Sequence, residues 1–411
     1  MPPPTPRSSP LPTPTASTTA ASTPTASTPA APGPASSTPT ASTPGGGGPS
    51  PRSPLLLALG GYAVTRLLGL AALAVAAAAT GEDGFHRLSG RWDAVWYARI
   101  AEHGYGYQVT LPNGDVHSDL AFFPLLPALE RALSAVLPLD AAGAGLLVSW
   151  TASLAAAWGI FRCGEHVVSA RAGILLAVLW GAYPTAFVQS MAYTETLFTA
   201  LAAWSLYAVL RGRPLLAGLL CALAGLTRPT AAALIAALVI SAAAALVRDR
   251  RLPWRTVAGV LIAPLGRLGY VVYVGVRESS ATAYFDVQAA WGNSIDGGVA
   301  LARFIASLPW PAALGLCAAL ALLAWLVALG FRQRQPLPLL VYTVGVVVVS
   351  LVGAAYFGSR PRLMMPAFGL LLPPAAALAR LRTRTAVPVL SALALASAVH
   401  GALTLLGPGP P

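Results

Sequence analysis

From Leu55 almost to the C-terminus, apolar runs near or above the 20 residues needed to cross a bilayer follow one another with little between them. Hydrocarbon offers no partner for a backbone N–H or C=O, so runs of this length are read as helices. About eleven segments are expected, at roughly 55–80, 143–161, 172–188, 194–210, 214–226, 229–247, 254–276, 311–330, 337–357, 363–380 and 386–406. The expected fold is an all-α polytopic membrane protein. A chain that is 56% apolar and 10% charged leaves no room for a large soluble domain beside it.

Residues 1–54 are a different material. They are almost wholly Pro, Thr, Ser, Ala and Gly, with TPTAST repeated at 13–18, 23–28 and 38–43. Such a segment cannot bury enough apolar surface to offset its ordering entropy, and a disordered tail is expected. It lacks the short apolar core and cleavage site of a signal peptide.

Loops rich in positive charge stay cytoplasmic, and the placement of arginine orients the chain. With the N-terminus and tail inside, Arg52, Arg162, Arg171, Arg211, Arg213, Arg248, Arg250, Arg251, Arg255, Arg332, Arg334, Arg380, Arg382 and Arg384 all fall on the cytoplasmic side. Only Glu165 and Asp249 join them there; the other acidic residues lie at or beyond the outer surface. Chemistry is therefore expected outside, where loops 81–120 and 277–310 are long enough to build a site. The stretch 121–138, AFFPLLPALERALSAVLP, reads as an interfacial helix. The run Leu215–Val247 reads as two helices broken at TRPT, because proline steers the preceding arginine out of helix.

The net charge of +12 comes from arginine alone, with no basic cluster interleaved with aromatics, so no nucleic-acid partner is expected. Cys163, Cys221 and Cys317 lie in or beside apolar segments without CxxC spacing and indicate neither disulfides nor zinc. No glycine-rich nucleotide-binding pattern occurs between a strand and a helix.

The residues able to do chemistry gather just after the first apolar run, in RWDAVWYARIAEHGY (91–105). On a helix, Asp93 shares a face with Trp96 and Tyr97, at i+3 and i+4. A partly desolvated carboxylate there suits a general base acting on a hydroxyl; the plainer reading is a helix cap with tryptophan anchors. In DVHSD, Asp115, His117 and Asp119 alternate, as metal ligands on a strand would, although a solvated turn after PNG is the expected reading. Arg228 in LTRPT and Arg360 and Arg362 in SRPR stand where helices begin or break, able either to grip a phosphate or to snorkel to headgroups. Arg66 lies too deep in the first span for lipid and needs an acidic, carbonyl or phosphate partner. Glu195 is read as a helix-dipole partner or a polar contact to substrate. In the second outer loop Asp286, Gln288 and Trp291, with Tyr284 and Phe285, form a surface able to stack on a sugar and bond its hydroxyls.

Taken in order, RWDAVWYARIAEHGY, AFFPLLP, AYPTAFVQSMAYTETLFTA, GLTRPTAAAL, YFDVQAAWG and SRPRLMMPAFGLLLP resemble the PIG-V-like mannosyltransferases of the GT-C superfamily, across nearly all of 55–411. The resemblance implies a GT-C-like bundle with catalytic loop 81–120. Its activity would be inverting transfer of mannose from polyprenyl-phosphate-mannose to an acceptor hydroxyl on the extracytoplasmic face. It implies Asp93 as base; Arg228, Arg360 and Arg362 are the candidates for the donor phosphate, with Arg91 open between that phosphate and a lipid headgroup. Trp92, Trp96, Tyr97, Glu195, Asp286, Gln288 and Trp291 would contact substrate. No cofactor is implied beyond the lipid-linked donor, and a divalent metal is left open. A lysine-free, Ala-rich chain looks bacterial, so an envelope glycolipid, lipoglycan or protein is the expected acceptor in a bacterial cell membrane. A lipid or sugar transporter is the alternative from another class, and a catalytically silent scaffold a third.

Overall fold

A computed structural model describes residues 53–409 except 113 and 355. The tail expected over 1–54 lies outside the described residues but for 53 and 54, where the first helix begins. Helix α1 (Pro54–Thr80) starts with proline in its first turn, where no intrahelical N–H is needed, and stops at Gly81 with φ 72°. The loop after α1 holds α2 (Gly84–Ser89), α3 (Asp93–His103) and a hairpin of β1 (Gln108–Thr110) and β2 (Val116–Ser118), with Gln108 opposite Ser118.

Helix α4 (Leu125–Ser134) leads to α5 (Ala141–Val167), whose first turn is capped by the Asp140 carboxylate accepting from Gly143 N at 2.8 Å. Then come α6 (Ala170–Gly181), α7 (Thr194–Leu210), α8 (Pro214–Ala224) and α9 (Ala231–Asp249). A span bent at Pro264 consists of α10 (Trp254–Ile262) and α11 (Leu265–Arg277). The loop after α11 carries α12 (Ala283–Ala290) and α13 (Val299–Ser307). The chain ends with α14 (Trp310–Arg332), α15 (Leu337–Val352), α16 (Arg360–Met364), α17 (Leu372–Arg380) and α18 (Thr383–Leu406).

Each apolar segment expected from sequence contains a helix or a helix pair. Six are long and apolar enough to cross a membrane, and the pair Phe357–Met364 and Phe368–Arg380, bent by 73°, makes a seventh. Four more, α6, α7, α8 and α15, are apolar but shorter. The protein is thus a helical, multi-pass membrane protein. Helix α5 is its axis, with 61% of its apolar window buried, whereas none of that of α14 is.

Small residues let the backbones approach, as they do where lipid offers no hydrophobic drive. A Cβ on Gly218 would stand 2.2 Å from Gly259 O, and one on Gly173 would stand 2.5 Å from Phe161 O. Cys163 and Cys221 are packed in the same core.

The segment expected at 172–188 stops at Gly181, ahead of Pro184, and the chain runs on as irregular buried backbone through a 3₁₀ turn at Ala186–Ser190. Irregular backbone at that depth needs donors from elsewhere. Arg66 on α1 supplies them, donating to Gly181 O and Ala186 O, so its partners are carbonyls. Gln189 supports the same stretch by donating to Trp180 O at 2.8 Å and accepting from Tyr62.

A charged network at the start of α3

Trp92 stands at φ 53°, ψ −125°, and the Ala94 N–H bonds back to Arg91 O at 3.2 Å, closing a tight turn directly before α3. Tryptophan is a costly residue at positive φ, by about 1–3 kcal/mol, and such strain persists only where the surroundings impose it. They do so here: Arg91 donates to Leu405 O and Gly407 O behind α18 and lies 4.1 Å over the Trp92 ring. The turn delivers Asp93 into a network of residues remote in sequence.

Arg362 Nη1 donates to Asp93 Oδ2 at 2.8 Å. Arg362 Nε lies 3.4 Å from Glu195 Oε1, and Arg228 Nη1 lies 2.6 Å from the same oxygen. Both contacts with Glu195 are charge contacts whose N–H directions miss hydrogen-bond alignment. Arg228 also donates to Thr194 Oγ1 at 3.1 Å, which in turn meets Tyr97 OH at 3.2 Å. The backbone of Tyr193 is pinned from α5, where Ser149 Oγ accepts from its N–H and donates to its C=O. Its phenol then accepts from Asp93 N at 3.2 Å.

Two carboxylates and two guanidiniums therefore balance one another in a largely dry site. The Glu195 side chain is 1% exposed, those of Arg362 and Arg228 about a tenth, and that of Asp93 28%. A charge buried as deeply as Glu195 persists only with such partners. Burial first, and the Asp93 charge next, push the phenols of Tyr97 and Tyr193 well above their ordinary range, so both remain protonated. Asp93 is the member that reaches solvent, and among the described residues its Oδ1 has no partner.

One turn further along α3 the surface is aromatic. Trp96 stacks on Phe122 at 5.5 Å and meets the edge of Trp291 at 4.9 Å, while His117 stacks on Trp291 at 4.2 Å. The loops 81–120 and 277–310 meet here.

Asp93, Arg228, Glu195 and Arg362 thus converge, with Tyr97 beside them and Trp96 and Trp291 in the adjoining wall. Other residues singled out in the sequence face elsewhere. Arg360 donates to the carbonyls of Ser350, Leu351 and Gly353 at the end of α15. Arg91 serves the end of α18, and Trp92 packs against the apolar cluster that includes Leu88 and Val188. Gln288 is buried and donates to Ala121 O at 3.0 Å, and Asp286 accepts from Thr282 at 2.8 Å on the surface.

DVHSD forms strand β2 and its continuation, where a solvated turn is the sequence expectation. Asp119 is fully buried and accepts from the amides of Gly106 and Tyr107, because two free loop N–H groups there need an acceptor. Among the described residues no group of three or more His, Cys, Asp or Glu side chains is placed to hold a metal.

Tyr193 and Thr194 carry no mark in the sequence beyond preceding Glu195 at a helix start. Their roles depend on what α5 and the α8–α9 break bring to them.

Glu130 is a second surprise. The helix expected at the interface turns this carboxyl fully inward, with both oxygens unbonded and Oε1 only 2.5 Å from where a Cβ on Gly145 would sit. Burial, with a smaller push from Glu102, raises its pKa to about 9 from 4.5. A raised folded-state pKa makes the acid neutral in the fold while the unfolded chain ionises. Its full stabilising contribution therefore holds below about pH 4.5 and is lost as pH rises toward 9, by at most about 1.4 kcal/mol per pH unit. Between pH 5 and 8.5 the Tm of the wild type in detergent should fall relative to Glu130→Gln, and the gap should widen steadily. A constant gap across that range would show that Glu130 ionises normally.

No protein-family model matches the chain, and no curated protein matches it. Among solved structures it is similar to ArnT from Cupriavidus metallidurans bound to undecaprenyl phosphate, at 16% identity and a TM-score of 0.49, over 77% of this chain and 60% of that one. It is also similar to ArnT from the same organism in the apo state, at 16% identity and a TM-score of 0.46, over 70% of this chain and 54% of that one. The chain spans less than two thirds of the length of either.

Proposed function

We propose that this protein is a membrane glycosyltransferase. It takes a sugar, mannose by the resemblance of its motifs, from a polyprenyl-phosphate donor and delivers it to an acceptor hydroxyl on the extracytoplasmic face of a bacterial cell membrane. The N-terminus is cytoplasmic in this reading. The observation that carries it is the convergence of Asp93, Glu195, Arg228 and Arg362, from four separate motifs, on one network whose exposed member is a carboxylate.

The chemistry needs little more. Asp93, steadied through Oδ2 by Arg362, presents Oδ1 to the acceptor hydroxyl and takes its proton as the new C–O bond forms at the anomeric carbon. The bond from that carbon to the donor phosphate breaks on the opposite face, its electron pair leaving with the polyprenyl phosphate, so configuration inverts. A phosphate already leaves well and needs its charge balanced more than protonated. Arg228 holds it, since Nη1 alone is engaged by Glu195 and Thr194 and its other donors have no partner among the described residues. Trp96 and Trp291 provide flat faces for a sugar ring.

Incubating the purified protein with radiolabelled polyprenyl-phosphate mannose and a membrane extract tests the reading. Label passing into a glycolipid, lipoglycan or protein supports it and identifies the acceptor class. Movement of labelled lipid across liposomes without any sugar transfer would instead make the protein a transporter.

A further inference from the structure

We propose that a cavity at the other end of the bundle from Asp93 binds the phosphate headgroup of an anionic phospholipid. The two places are far apart. Ser149, which pins Tyr193, and His166, which lines the cavity, stand 17 residues apart on α5, about 25 Å along its axis.

The cavity has a volume of about 480 Å³ and lies between the ends of α5 and α14, the start of α15 and one side of α17 along its length. Its polar side carries His166, Gln333, Arg334 and Arg380, and its apolar side includes Val168 and Leu372. No carboxylate lines it. The neighbouring Glu165 is engaged with Arg162 at 2.7 Å, and the guanidiniums of Arg334 and Arg380 form no ion pair or hydrogen bond with any described residue.

Pro336, immediately before α15, lines the same space, which places the positive end of that helix beside the two arginines. Arg334 itself stands at φ 51°, where a helix usually ends in glycine, with Gln335 N bonded back to Gly330 O at 3.1 Å. A group with two or more charged oxygens is what such a lining lacks.

The apolar wall decides the source of that phosphate. Val168 is exposed at the rim of the cavity, and α14, which ends at its edge, has no buried residue in its apolar window. A headgroup with acyl chains satisfies both walls, whereas a soluble phosphate satisfies one.

Native mass spectrometry of the full chain tests this, after equilibration with vesicles of phosphatidylglycerol or of phosphatidylcholine. The wild type should retain phosphatidylglycerol about tenfold better, and Arg334→Gln with Arg380→Gln should abolish that preference while leaving Tm in lipid-free detergent unchanged. If that pair fails to fold, Ala376→Glu, which places a carboxylate in the lining and keeps both arginines, should abolish the preference alone. Equal retention of the two lipids by the wild type would overturn the proposal, as would an unchanged preference in a folded variant. Displacement of the lipid by millimolar inorganic phosphate would overturn the assignment to a lipid in favour of a soluble anion.

Discussion

Replacing Asp93 by asparagine is expected to reduce transfer by about 10²- to 10⁴-fold, the usual contribution of a positioned general base. The amide has the same shape but cannot accept the acceptor's proton. Its consequences for folding are separable, because Arg362 still faces Glu195 and the strained turn at Trp92 is held by Arg91 from the other side. Arg362 can still donate to the amide oxygen, so only the carboxylate charge is lost, and the 28% exposure of the Asp93 side chain keeps that loss small. Initial rates from a labelled donor, alongside Tm in detergent, read the two effects independently. Activity within about tenfold of wild type would remove Asp93 from the role of base.

Arg362→Gln should have the largest effect on stability. Arg362 lies between the two carboxylates, and its removal leaves Asp93 without its ion-pair partner and Glu195 with Arg228 alone, in a site where Glu195 has almost no access to water. Breaking a buried pair by removing one partner costs about 3–5 kcal/mol, mostly because the remaining charge stays buried. Lysine should restore part of that stability and less of the activity, since one ammonium cannot span two carboxylates as the planar guanidinium does. The decisive measurement is a double-mutant cycle. Arg362→Gln combined with Asp93→Asn should be less destabilised than the sum of the single changes, by about 0.5–3 kcal/mol. Strict additivity would mean that the contact at 2.8 Å contributes no coupling.

Arg360 and Arg362 show where reading from sequence alone stops. Both stand in SRPR, and both look equally suited to a phosphate. Two residues apart on a helix they point to nearly opposite sides, so one is spent on the carbonyls at the end of α15 while the other reaches Asp93. Arg91 and Asp93 divide in the same way across the turn at Trp92. Glu130 and Asp119 look like surface charges in a polar context and are buried, one with no side-chain partner among the described residues and the other serving two loop amides. Nothing in the local pattern separates these cases, because each depends on which backbone groups a distant element leaves unpaired.

The sequence by itself determined the helical, multi-pass character of the chain, the positions of nearly all its helices, the break at TRPT and the need for a partner to Arg66. Those follow from local rules: bilayer thickness, the stiffness of proline and the cost of an unpaired charge in hydrocarbon. Only the tertiary structure decided that Asp93, Glu195, Arg228 and Arg362 form one network, and that Arg91, Arg360, Asp286 and Gln288 stand outside it. The physical reason is that electrostatic pairing in a dry site acts over a few ångströms. Which charges come that close is set by how the 73° bend after α16, the α8–α9 break and the irregular stretch before α7 pack together.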